Sequence, residues 1–203
     1  MEQWIQRLQE LPSTCVSDAL QGKSQMDPGI CPIKDEYKVA GRAFTVSIPP
    51  GENTSVLRAI REAQPGDILV VDGKGFLSRA VAGDFIVGLA QTLELGGLVI
   101  DGVIRDIGGT RELGFPVFCR GTTVAASGKT GIGELQVPIC CGGTPVQPGD
   151  YIVGDRDGIV VIPGERIEEV LSKAEERMWK DEERSARILG HPEAARAYLD
   201  SVL

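Results

Sequence analysis

Residues 82–109 read AGDFIVGLAQTLELGGLVIDGVIRDIGG. After Gly83, the apolar residues Ile86, Leu89, Ala90 and Leu93 recur at helical spacing. That spacing predicts a helix over 84–95, stopped at Gly96. Leu98-Val99-Ile100 is an unbroken apolar run, the pattern of a strand buried on both faces. A short helix over 106–113 and a strand at Pro116–Cys119 follow. The order β-α-β-α-β implies a small parallel unit and an α/β class.

Working outward, Trp4, Ile5 and Leu8 share one helical face, so residues 2–10 read as a short helix. Ser13 or Thr14 caps a second helix through Val16, Ala19 and Leu20, ended by Gly22. A loop rich in Gly, Pro and Asp runs to about Pro32. VAGRAFTVSI, residues 39–48, reads as a strand broken by Pro49-Pro50-Gly51. Residues 55–63 read as helix. Pro65-Gly66-Asp67 is a turn before the buried strand Ile68–Val71. Pro148-Gly149-Asp150 repeats that turn before Tyr151–Val153 and Gly158–Ile162. This local echo suggests paired hairpins or barrel strands. From Glu165 a long charged helix carries Ile167, Val170, Leu171, Ala174 and Met178 on one stripe. That stripe is expected to pack on the body or on a neighbouring subunit.

The chain has 203 residues, enough for one domain with a real core. Aromatic residues are only 5%, so aliphatic side chains must build that core. A net charge of -8 argues against a nucleic-acid backbone as the main partner, because phosphate binding leans on basic patches. Five cysteines, an odd count, and an amphipathic rather than apolar start point to reduced thiols and a cytoplasmic protein. Cys140-Cys141 reads as a buried apolar pair. No apolar run approaches the ~18 residues of a membrane span.

Several motifs fail. Gly128-Lys129-Thr130 resembles the end of a phosphate-binding loop, but Thr123 stands where that loop needs glycine. Gly73-Lys74-Gly75 lacks the third glycine of a dinucleotide fingerprint, since Ser78 takes its place. A Ser-His-Asp triad or a His-rich metal site is nearly excluded, because His191 is the single histidine and sits between Gly190 and Pro192.

One constellation survives. The helix beginning at Asp84 presents free N–H groups and a positive dipole end. In a β-α-β unit, such a terminus and the C-terminal end of the next strand often share one crevice. Asp84 and Arg105-Asp106 could therefore meet. Arg105 offers a planar fork for a carboxylate or enolate oxygen. Asp106 offers a hard oxygen ligand suited to Mg²⁺ or Mn²⁺. Asp84 could hold metal-bound waters. Plainer readings compete: Asp84 as a helix cap, Asp101 as the close of a turn before Gly102, and Arg105-Asp106 as a surface ion pair.

Gly83-Asp84-Phe85-Ile86, with Val99-Ile-Asp-Gly102 and Arg105-Asp106, resembles the signature of the 4-hydroxy-4-methyl-2-oxoglutarate aldolase / RraA-like family. Val16-Ser-Asp-Ala-Leu20, Pro65–Asp72, Phe115–Phe118 and Gly154-Asp-Arg-Asp-Gly158 extend the similarity over roughly residues 13–190. The resemblance implies a swivelling, phosphohistidine-domain-like β/β/α fold. It would be one domain over 1–203, with a C-terminal helical extension from about 165. It implies a homotrimer or hexamer with sites between subunits. It implies cleavage of small 2-oxo acids through a pyruvate enolate, with oxaloacetate decarboxylation as a companion activity. In that reading Arg105 binds the pyruvate moiety, Asp106 ligates Mg²⁺ or Mn²⁺, and Asp84 bonds metal waters. The backbone amides of Phe85 and Ile86 would hold pyruvate oxygens, and Gly83 would also belong to the substrate site. A neighbour's C-terminal acid, Glu183 or Glu193, would complete the site. The resemblance also implies an alternative: some members regulate an RNA-degrading endonuclease, and those have lost the aspartate that Asp106 retains. A methyltransferase label attached to such sequences finds no adenosyl-cofactor glycine fingerprint in this chain.

Overall fold

The computed structural model describes residues 3–129 and 131–203. Thr130 of the failed phosphate-loop motif, and residue 2 of the first helix reading, lie outside them.

The chain opens with α1 (Gln3–Glu10) and α2 (Ser13–Ala19), then β1 (Cys31–Pro32), β2 (Val39–Ser47), α3 (Thr54–Glu62) and β3 (Ile68–Ala82). Next come α4 (Asp84–Thr92), β4 (Gly97–Ile104), α5 (Ile107–Glu112) and β5 (Val117–Thr122). The short strands β6 (Glu134–Leu135), β7 (Ile139–Cys141) and β8 (Thr144–Val146) lead to β9 (Tyr151–Asp155) and β10 (Gly158–Ile162). The chain ends with α6 (Ile167–Ile188) and α7 (Pro192–Val202).

One mixed sheet organises the molecule, in the order β1-β5-β4-β3-β2-β9-β10, with β6 also on β2. Strands β2 to β5 run parallel, and β1, β6, β9 and β10 join antiparallel. This is the expected α/β class, with a nearly closed, barrel-like sheet and a C-terminal helix. β7 and β8 form a separate hairpin.

Residues in β4 are buried along its whole length, as its apolar run required. Leu98, Val99, Ile100 and Ile104 belong to a core that includes Ile68, Leu69, Val87, Ala90 and Phe118. A second core gathers Leu8, Val16, Val153, Ile162, Val170, Leu171 and Ala174. So the stripe on α6 closes on α1, α2 and the β9–β10 hairpin, and Met178 packs at its margin.

The two Pro-Gly-Asp turns are alike in detail. Gly66 and Gly149 have φ of 86° and 85°, which glycine adopts at no steric cost. Each aspartate accepts an N–H from the residue three before it, Gln64 to Asp67 and Gln147 to Asp150. Their consequences differ. The second turn starts a hairpin, β9–β10. The first feeds a strand that pairs in parallel with β2 and β4.

Two sequence readings are corrected. β3 does not stop at Val71 but runs to Ala82. It bulges between Val71 and Phe76 and again between Phe76 and Ala80, helped by positive φ at Lys74 and Gly75. The interruption by glycines and charges hides this continuation. Cys140 and Cys141 are not a buried pair: on a two-strand hairpin neighbours face opposite ways, so Cys141 is buried and Cys140 exposed.

Candidate active site

The end of β3 brings the two halves of the site together. Ala82 pairs with Ile104 across the parallel ladder, and Arg105 N–H donates to Ala82 O at 2.9 Å. The next residues on each strand, Gly83-Asp84 and Arg105-Asp106, must therefore emerge side by side. β3 passes directly into α4 at Gly83, which has φ -137° and no side chain to cap the helix.

The structure gathers the six residues nominated around residues 83–106, but not Glu183 or Glu193. Gly83, Asp84, Phe85, Ile86, Arg105 and Asp106 all line one cavity of about 290 Å³. Arg105 Nε lies 3.2 Å from Asp106 Oδ2, and both side chains are half exposed to that cavity. They form an ion pair, as the plainer reading held, but one placed in a crevice. Asp84 is the first residue of α4 and not its cap. Its Oδ1 accepts the N–H of Phe85 at 2.6 Å.

Two glycines seat the two carboxylates. A Cβ on Gly83 would stand 2.6 Å from Asp106 Oδ2, and one on Gly109 would stand 2.7 Å from Asp84 Oδ2. Each glycine lies on the opposite strand–helix junction from the acid it seats. Asp106 itself has φ 55° and ψ 43°, a left-handed conformation that aspartate tolerates better than most residues. Its carbonyl accepts both the backbone N–H and the hydroxyl of Thr110, each at 3.0 Å. That buried threonine fixes the start of α5.

Sequence reasoning missed other lining residues. Asn53, Leu57, Ala126, Ser127 and Lys129 complete the cavity wall. Asn53 is 4% exposed, and its Oδ1 has no hydrogen-bond partner. A buried amide oxygen left unpaired costs free energy, so it marks a place where a polar group is wanted. The signal was faint, since Asn before Thr54-Ser55 reads as a helix cap. Lys129 was in view only as part of a failed phosphate loop.

The reading of Asp101 is corrected too. It closes no turn: it lies inside β4 at 6% exposure. It pairs with Arg120 and accepts the N–H of Gly142 at 3.0 Å. It is therefore a structural anchor outside the cavity. A larger depression of about 870 Å³ lies near Gly66 and Gly96, before the starts of β3 and β4. It is lined by Arg42, Asp67 and Glu94 but by none of Asp84, Arg105 or Asp106. Among the described residues no set of three His, Cys, Asp or Glu could cage a metal. No helix among them is long and apolar enough to cross a membrane.

Comparison with known proteins places the chain in a family. Residues 13–161 match the family model RraA-like, described as Aldolase/RraA. A protein of Halalkalibacterium halodurans named "Putative 4-hydroxy-4-methyl-2-oxoglutarate aldolase" is 49% identical over 200 residues, covering 98% of this chain and 95% of its own. A crystal structure of an uncharacterized protein from Pseudomonas syringae superposes with a TM-score of 0.88 at 28% identity, covering 98% of this chain and 95% of that one. A Streptomyces coelicolor member of the RNase ES inhibitor RraA protein family gives 0.82 at 30% identity, covering 91% and 96%. With its domain match spanning the sheet and both halves of the cavity, this chain belongs to the RraA-like, Aldolase/RraA family.

Proposed function

We propose that the chain is a divalent-metal-dependent lyase of the class II aldolase kind. Its substrates would be small 2-oxo acids of the 4-hydroxy-4-methyl-2-oxoglutarate type, with oxaloacetate decarboxylation alongside. The observation that carries this reading is Asp106 beside Arg105 in a cavity that Asp84 also lines. The named aldolase relative supports it.

The residues fit a Mg²⁺ or Mn²⁺ ion. The cavity offers carboxylate and amide oxygens and no thiol or imidazole. One or two carboxylates plus waters is the usual holding of Mg²⁺, which explains why no protein cage is needed. Asp106 would hold the ion and Asp84 would bond its waters. When bound, the ion supplies Lewis-acid polarisation of the 2-oxo group.

The chain's own groups do the rest. Arg105 holds the pyruvate moiety with its planar fork and faces the negative charge that develops as the carbon–carbon bond breaks. The electron pair of that bond goes into the 2-oxo group, giving pyruvate enolate. The amides of Phe85 and Ile86, at the positive end of α4, hold pyruvate oxygens. Phe85 N–H must leave Asp84 Oδ1 to do so. That frees Asp84 to take the hydroxyl proton through a water. Asn53 and Lys129 add an amide and a cation to the wall.

A homotrimer or hexamer belongs to this proposal. Glu183 on α6 and Glu193 on α7 are exposed, and neither lines the cavity of its own protomer. In this reading one of them serves a neighbouring copy.

The test is direct. Purified protein should release pyruvate from oxaloacetate with Mg²⁺ or Mn²⁺, and chelation should stop it. Asp106→Ala should abolish the activity while the fold survives, since that side chain is half exposed. Full metal-dependent turnover in this variant would overturn the roles of Asp106 and its neighbours. No pyruvate release, together with binding of an RNA-degrading endonuclease, would favour the regulator reading.

A further inference from the structure

The antiparallel rung between β1 and β5 places Cys31 directly opposite Cys119. Facing residues on such a rung project to the same side of the sheet. Ile33 N–H donates to Val117 O at 3.0 Å, so the rung two residues away is a hydrogen-bonded one. Hydrogen-bonded rungs set Cα atoms about 5.5 Å apart, within the usual Cα separation of a disulfide. Both cysteines are free in this structure. They also line one cavity together with Arg111 and Arg120.

We propose that Cys31 and Cys119 form a reversible disulfide when the protein meets a hydroperoxide. The two thiols differ in a way that orders the steps. Cys31 is exposed and Cys119 is buried. Burial pushes the Cys119 thiol up to about 11, and nearby Cys31 acts in the same direction. The reachable thiol reacts first. Cys31 gives up its S–H proton as its sulfur attacks the peroxide. The O–O bond breaks, leaving a sulfenic acid on Cys31 and one molecule of water or alcohol. Cys119 sulfur then attacks the Cys31 sulfur. The S–O bond breaks, and the hydroxyl leaves with the Cys119 proton as water. Two thiols have lost two electrons and two protons, and the peroxide has been reduced.

Little has to move. Cys31 Sγ now donates to Pro28 O at 3.1 Å, and Cys119 Sγ donates to Gly121 O at 3.4 Å. Both are weak bonds, lost on rotation about the Cα–Cβ bonds. β1 is a two-residue strand at the sheet edge, so it can shift to let the sulfurs meet. The bond would join positions 119 − 31 = 88 apart, and closing a long loop constrains the unfolded chain most.

The experiment treats fully reduced protein with a slight excess of hydrogen peroxide and then alkylates it under denaturing conditions. Peptide mass spectrometry should find the Cys31 and Cys119 peptides linked and lighter by two hydrogens, with dithiothreitol reversing the link. The thermal unfolding midpoint should rise on oxidation and return on reduction. Cys31→Ser, at an exposed position, should fold normally and lose both effects, whereas Cys140→Ser should keep them. The proposal is overturned if Cys31 proceeds to a sulfinic acid while Cys119 stays alkylatable. A link made instead through Cys140 overturns it too. None of these readouts depends on the lyase reading.

Discussion

The carboxylate of Asp106 rests on the bare Cα of Gly83, where a Cβ would stand only 2.6 Å from Oδ2. The backbone at Gly83, φ -137° and ψ -177°, is extended and open to any residue. Gly83→Ala therefore tests the seat of the carboxylate without backbone strain. We expect pyruvate release to fall roughly 10–100-fold, the usual cost of disturbing a metal ligand's support. Thermal stability should change little. A variant with full activity would show that Asp106 needs no such seat.

Gly109 plays the mirror role for Asp84, at 2.7 Å from Oδ2. It sits inside α5, where alanine is a better helix former by up to ~1 kcal/mol. Gly109→Ala is expected to keep or raise the unfolding midpoint while lowering turnover. Opposite signs in calorimetry and in the pyruvate assay are the diagnostic result. A parallel loss of both would mean the helix, not Asp84, was disturbed.

Arg105→Lys keeps the charge and loses the fork. Turnover should drop by roughly 10²-fold or more, since a point charge cannot hold two oxygens in a plane. Steady-state kinetics on oxaloacetate read this out. Unaltered kcat and KM would remove Arg105 from the reaction.

Asp101 and Arg120 carry stability instead. Arg120→Ala strands a carboxylate at 8% side-chain exposure, which should cost about 3–5 kcal/mol. Asp101→Asn with Arg120→Met should recover part of that loss. Denaturant unfolding of the single and double variants measures the coupling. A loss under about 1 kcal/mol for Arg120→Ala would show that Asp101 finds another partner.

Arg7 Nε and Nη2 each lie 2.7 Å from a Glu175 oxygen, pinning α1 to α6. The hydrogen bonds from Arg7 hold the Glu175 carboxyl below its ordinary range, and the same bonds raise Arg7. A depressed carboxylate stabilises the fold above its unfolded value of about 4.3. That contribution disappears as pH falls through the lower folded value. Both side chains are 38% exposed, so the effect should stay within about 1 kcal/mol. Glu175→Gln should lower stability at neutral pH and flatten the acid limb of the unfolding curve. An acid limb identical to the parent's would show that this pair adds nothing to the fold's pH dependence.

Much of the site was legible from local pattern. The helical spacing after Gly83 and the apolar run at Leu98–Ile100 placed α4 and β4, and so placed Asp84, Arg105 and Asp106 at one end of a β-α-β unit. Periodicity reports which face of an element meets the core, and that information is local. Asn53 and Lys129 were not legible as site residues, because they come from segments distant in sequence and their local patterns, a helix cap and a failed phosphate loop, point elsewhere.

The amino-acid sequence by itself determined the α/β class, the apolar stripe of α6 and the two Pro-Gly-Asp turns, because each is set by residues within a turn or two of one another. On α4 it found Ala90 but missed buried Val87 and placed exposed Leu93 on the apolar face. Only the tertiary structure decided that β3 runs on to Ala82, that Asp101 is a buried anchor, that Cys140 and Cys141 part ways, and that Cys31 faces Cys119. Strand pairing and burial are settled between segments far apart in the chain, where register and packing, not local preference, decide the outcome.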